Sequence, residues 1–74
     1  MFYTRLKEVC ALRGLKVTNI VNELGFSPSR QGDWSNGKSP SVESLIKFAT
    51  RLEVSTDYLL GLTDNYEVQN GKKD

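Results

Sequence analysis

Apolar positions recur along this chain at helical spacing. Between Phe2 and Arg13 they fall at Phe2, Leu6, Val9 and Cys10, one buried face of a helix whose Arg5, Lys7 and Glu8 are expected toward water. Gly14 stops that helix, and Leu15 beyond it suits a cap contact. Val17, Ile20, Val21 and Leu24 form the next stripe, closed by Gly25, with Phe26 placed to fold back as the apolar partner of the cap. A third helix starts almost at once: Ser27 suits the N-cap and Pro28 the first helical position, where its missing N–H would be unpaired anyway. Two helices joined by so short a Gly-containing turn must cross steeply, in a helix-turn-helix arrangement. Asn36-Gly37-Lys38-Ser39-Pro40 then marks a loop. Ser39 or Ser41 caps a fourth helix with the apolar stripe Val42, Leu45, Ile46, Ala49 and Leu52, widened by Phe48. Val54 precedes a short fifth helix, capped by Ser55 and closed by Gly61, with Asp57 where the helix dipole favours a carboxylate. Tyr58, Leu59 and Leu60 are its core or interface positions. The pattern contains no strand signal and no repeat. It predicts an all-α, small five-helix bundle with the helix-turn-helix formed by helices 2 and 3, over residues 1–64, and a polar tail or linker at 65–74.

Composition narrows the chemistry. The 74 residues are 38% hydrophobic, enough for one modest core. No apolar run reaches the length of a membrane-spanning helix and the N-terminus lacks a signal-peptide layout, so a cytoplasmic protein with no membrane contact is expected. Cys10 is the lone cysteine and lies on an apolar face, where a thiol fills a core rather than serving as an exposed redox thiolate. The chain has no histidine, which excludes a Cys/His zinc site and a Ser/His or Cys/His catalytic pair. No carboxylate pair stands out either. An enzyme is therefore not expected, nor is a cofactor. A formal net charge of +1 neither demands nor forbids a nucleic-acid partner, so its distribution matters more than its sum.

Several residues, taken together and in register, resemble the phage-repressor and Cro-like (XRE-type, lambda-repressor-like) helix-turn-helix domains. They are Leu6 and Gly14; Ile20, Leu24, Gly25, Phe26 and Ser27 through the turn; and Trp34-Ser35-Asn36-Gly37-Lys38-Ser39-Pro40 after the third helix. Leu45, Ala49, Leu52 and Val54-Ser55-x-Asp57-Tyr58-Leu59-Leu60-Gly61 complete the set. The resemblance covers roughly Phe2 to Asp64. It implies a lambda-repressor-like fold and sequence-specific binding of double-stranded DNA through the major groove. It also implies a homodimer and a role in transcription regulation, chiefly repression.

On that reading the third helix presents its N-terminal residues to the base edges. Ser27, Pro28 and Ser29 form its first turn, Ser27 and Ser29 as donors to phosphate or base, and Arg30 can reach a phosphate or a guanine edge. Lys16 at the start of the second helix and Lys38 after the third flank the groove as backbone clamps, Asn36 adds a polar phosphate contact, and Val17 stands at a position where the family often has a DNA-contacting Gln. Gly32 lacks a side chain and lets the helix backbone approach DNA closely, while Asp33 can accept from a cytosine N4 but is repelled by flanking phosphates.

Departures from the family pattern lie on this surface. Lys16 and Val17 stand where Ser or Thr and then Gln are usual, Val21 replaces a small alanine, and Gln31 replaces a core Ile or Val. A buried amide without partners costs about 1–3 kcal/mol, so Gln31 needs a hydrogen-bond partner or an outward turn. Gly32 costs the helix about 1 kcal/mol relative to alanine. Trp34 belongs by its spacing to the core. Between Lys16 and Lys38 three cations, Lys16, Arg30 and Lys38, face two anions, Glu23 and Asp33, a thin electrostatic footprint for a DNA binder. A second reading therefore stands beside the first: a protein-interaction module on the same fold with weakened or lost DNA binding. For dimerisation, Tyr58, Leu59, Leu60 and Leu62 are the candidate contacts.

Overall fold

The computed structural model describes residues 1–65. Five helices follow one another, α1 (Phe2–Leu12), α2 (Val17–Glu23), α3 (Pro28–Ser35), α4 (Val42–Leu52) and α5 (Thr56–Leu59), with no strand among the described residues. The chain is thus an all-α five-helix bundle with α2 and α3 as its helix-turn-helix pair. Of the polar tail expected at 65–74, only Asn65 lies within the described residues.

The turn between α2 and α3 is made by backbone geometry. Gly25 takes φ +85°, its N–H donates to the Asn22 carbonyl at 3.0 Å, and the Phe26 N–H donates to the Val21 carbonyl at 3.0 Å. This double closure needs a left-handed residue, and it lets α3 begin three residues later. Ser27 then caps α3, its Oγ accepting from the Arg30 N–H at 3.3 Å. Ser41, not Ser39, caps α4, accepting from the Ser44 N–H at 3.1 Å, and Ser55 caps α5.

At the end of α4 the left-handed position is held by Glu53, φ +57°, with the Val54 N–H on the Ala49 carbonyl at 3.1 Å. A side chain there strains the backbone by roughly 1–2 kcal/mol, part of which glycine returns as lost unfolded-chain entropy. Glu53→Gly is expected to stabilise the domain by up to about 1 kcal/mol, raising the melting temperature by roughly 4–8 °C. A thermal melt with no rise would show that Glu53 bears no strain.

The core is built around four aromatic rings. Phe48 is fully buried, and its centroid lies 5.7 Å from Phe2, 5.3 Å from Phe26 and 5.3 Å from Trp34, mostly edge to face. Leu6, Val9, Cys10, Ile20, Val21, Leu52 and Leu59 fill the rest. Burial pushes the Cys10 thiol up from its ordinary pKa, consistent with a packing role.

Three expectations about faces are corrected. Val42 and Ile46 are 73% and 52% exposed, so the buried side of α4 is Leu45, Phe48, Ala49 and Leu52. Ile46 sits two residues before Phe48, nearly opposite it on a helix of roughly 3.6 residues per turn. Arg5 is half-buried rather than solvated, its guanidinium 4.3 Å over the Tyr58 ring and 3.0 Å from Asp64. Tyr58 and Leu59 are core, whereas Leu60 and Leu62 are exposed. On the far side, Glu23 pairs with Arg51 through both guanidinium and carboxylate atoms, tying the ends of α2 and α4 and holding Glu23 below the usual carboxylate range. An ion pair this exposed contributes little to stability. No helix among the described residues is long and apolar enough to cross a membrane.

Candidate nucleic-acid interface

The inner side of α3 fixes its outer side. Trp34 anchors the helix in the aromatic cluster, with centroids 5.8 Å from Phe2 and 5.2 Å from Phe26. One turn back, Gln31 is half-buried, and its amide donates to the Tyr3 hydroxyl at 3.1 Å and the Thr18 hydroxyl at 3.3 Å. The partners that the sequence demanded for Gln31 therefore come from α1 and α2. They bind the first turn of α2 to the middle of α3, setting the crossing of the pair.

Arg30 lies four residues before Trp34 and shares its side of the helix. Its guanidinium carbon is 5.1 Å above the Phe26 ring and 5.7 Å from that of Trp34, and Nη2 donates to Ser44 Oγ at 2.9 Å. This group, expected at a phosphate or base edge, lies along the domain's own surface toward α4, while the residue as a whole remains exposed.

The outward side of α3 consists of the other expected residues. Pro28, Ser29, Asp33 and Asn36 are exposed, and Gly32, two residues before Trp34, is at the centre of that side. A Cβ built on Gly32 would meet nothing within 4 Å, so no packing neighbour among the described residues requires glycine there. The Gly32 carbonyl accepts from the Ser35 hydroxyl at 2.8 Å and the Asn36 N–H at 3.1 Å. Lys38 is exposed just beyond, placed by its N–H on the Asp33 carbonyl at 3.0 Å. Ser27 is exposed, its oxygen already accepting the cap bond while its hydroxyl proton can still donate outward. Lys16 is exposed as the extended residue before α2, while Val17 is half-buried against the core, with little side chain to offer a ligand.

The structure thus brings Ser27, Pro28, Ser29, Gly32, Asp33, Asn36 and Lys38 onto one side, with the first turn of α2 joined to it through Thr18 and Gln31. Arg30 is also exposed, with its guanidinium directed at Ser44 on the Trp34 side. Tyr3, Thr18 and Ser44, which hold the helix in place, were not among the expected site residues. Ser41 was legible as a candidate cap for α4, but nothing local marked Ser44, and Tyr3 and Thr18 lie 28 and 13 residues from Gln31 and left no local trace. Chemically the face is a shallow, nearly neutral strip of small polar groups and backbone. Among the described residues no group of three or more Cys, His, Asp or Glu is placed to hold a metal ion.

Two short helices joined through a left-handed glycine, the second exposing its outer side, define a helix-turn-helix domain. In keeping with that, the chain is 30% identical over 66 residues to the uncharacterized HTH-type transcriptional regulator YobD of Bacillus subtilis (strain 168). The match takes in 88% of this chain and 59% of YobD, so the chain spans little more than half of that relative's length. No family model matches the chain. No solved structure matches it either.

Proposed function

We propose that this chain is the DNA-binding domain of a transcriptional regulator, a repressor of the phage-repressor, XRE-like type acting in the cytoplasm, with the outer side of α3 in the major groove of double-stranded DNA. The observation that carries the proposal is the division of α3. One side is pinned by Trp34, Gln31 and Arg30, and the other, centred on Gly32, is small, polar and uncovered. The similarity to a transcriptional regulator supports the same reading.

In this arrangement Ser29, Asp33 and Asn36 face base edges, Ser27 and Pro28 begin the helix at the groove wall, and Lys16 and Lys38 neutralise phosphates on either side. A surface of this size reads few base pairs, so the domain binds as a homodimer on half-sites about 34–36 Å apart. Exposed Leu60 and Leu62 are its candidate contacts. With Arg30 bonded to Ser44, about two phosphates per domain are neutralised, by Lys16 and Lys38, and the salt dependence is correspondingly shallow, near −2 per domain on a log–log plot. Selection of duplexes from a random pool, followed by titration at several salt concentrations, tests the proposal. An enriched sequence with a shallow slope is expected; no enrichment, with only weak salt-sensitive binding, contradicts it.

The near-neutral face also favours a second reading, a protein-interaction module on the same fold. Asp33→Asn separates the two. If DNA is the ligand, removing the carboxylate from beside the phosphates raises affinity by roughly fivefold, about 1 kcal/mol for a charge pair at close range in water. Where Asp33 accepts from a cytosine, the same change relaxes preference at that base pair. An affinity unchanged on every duplex, with a stable protein partner recovered in pull-down, supports the interaction module.

A further inference from the structure

We propose that Arg30 is a positioning residue for DNA binding, not a DNA contact: its guanidinium is a strut that locks α3 to the N-terminus of α4 and so fixes the segment bearing Asn36 and Lys38. The inference rests on the reading of α3 as the recognition helix.

Three observations converge on the strut. Arg30 sits one turn before buried Trp34 and on the same side of the helix, so although the residue is exposed its side chain starts from the edge nearest the bundle. Its planar group lies over Phe26 and Trp34 at 5.1 and 5.7 Å, a cation–π arrangement that a swing into the groove would abandon. Finally, Nη2 donates at 2.9 Å to Ser44 Oγ, and Ser44 is 2% exposed. Ser44 Oγ also lies 2.9 Å from Ser41 Oγ, and Ser41 is the residue that caps α4.

The connection between α3 and α4 is thereby held at both ends. At its start, the Gly37 and Lys38 N–H groups bond to the Trp34 and Asp33 carbonyls, each at 3.0 Å. At its end, Ser41 closes α4, and Arg30 joins the two ends across fourteen residues of sequence. Arginine suits the task because its flat, forked group can stack on rings and direct an N–H at a hydroxyl together, which a lysine ammonium does not do.

The test has an arm without DNA and an arm with it. In urea unfolding of the wild type, Arg30→Ala, Ser44→Ala and the double variant, the strut makes the double variant's change in unfolding constant smaller than the product of the single changes by about fivefold or more. On the duplex enriched from a random pool, with each variant shown to be folded, Arg30→Ala and Ser44→Ala each weaken binding by about tenfold and the double variant by little more. The salt slope and base preference stay those of the wild type, and Arg30→Lys does not restore affinity. A phosphate contact would instead lower the slope by about 0.9 on Arg30→Ala, with rescue by lysine, and a base contact would relax preference at one base pair; either result overturns the proposal. An additive unfolding cycle with DNA binding intact overturns the strut alone. A coupled cycle in a protein that enriches no duplex overturns the DNA reading, and the positioning role with it.

Discussion

Phe48→Ala is expected to lower the melting temperature by roughly 12–40 °C, close to the loss of the fold at room temperature. Removing a buried Phe costs about 3–5 kcal/mol through lost transfer energy and the cavity left behind. Small domains have only about 5–15 kcal/mol in hand, and each kcal/mol moves the melting temperature of a chain this short by roughly 4–8 °C. Phe48 is fully buried and its ring packs against those of Phe2, Phe26 and Trp34, so the helix-turn-helix pair, through Phe26 and Trp34, loses its shared support with it. Ile46→Ala serves as the contrast. Ile46 is two residues away but 52% exposed, and its change is expected to stay within about 0.5 kcal/mol. Thermal unfolding followed by circular dichroism reads both. Equal small effects would show that the aromatic cluster does not carry the fold.

Gly32→Ala is expected to move stability and binding in opposite directions. The new methyl meets nothing within 4 Å in the free protein, so alanine relieves the helix of about 1 kcal/mol and raises the melting temperature by roughly 4–8 °C. If α3 lies in the groove, the same methyl falls at the centre of its DNA-facing side. Overpacking there costs about 1–3 kcal/mol, or roughly 5–150-fold in duplex affinity. A stabilised variant with unchanged affinity would mean that Gly32 is not a point of close approach.

The elements of this fold were legible because their ends are written locally. Gly25 with Phe26, and Ser27 with Pro28, specify a closure and a restart within four residues, and the structure contains both as read. The face of α4 was not legible in full: Val42 and Ile46 satisfy helical periodicity, but the bundle covers only the arc centred on Phe48. The outer side of α3 follows from Trp34 being inward, which spacing alone gave. What spacing hid is where the polar side chains of the inner side go. Gln31 finds Tyr3 and Thr18, and Arg30 finds Ser44, partners supplied by elements whose positions are set only once the chain has packed. Arg30, the cation that local sequence offers most readily to DNA, is for that reason the residue whose surroundings the local pattern described least.

The central claim is that the uncovered side of α3 meets DNA. Its most direct test is an amide NMR titration of the protein with the duplex enriched from a random pool. Saturable shifts concentrated at Ser29, Gly32, Asp33, Asn36 and Lys38, with Leu12 and Ala11 on α1 unmoved, are the predicted result. Shifts confined to another face, such as Leu24, Ile46 and Thr50, or no saturable change at all, would contradict it.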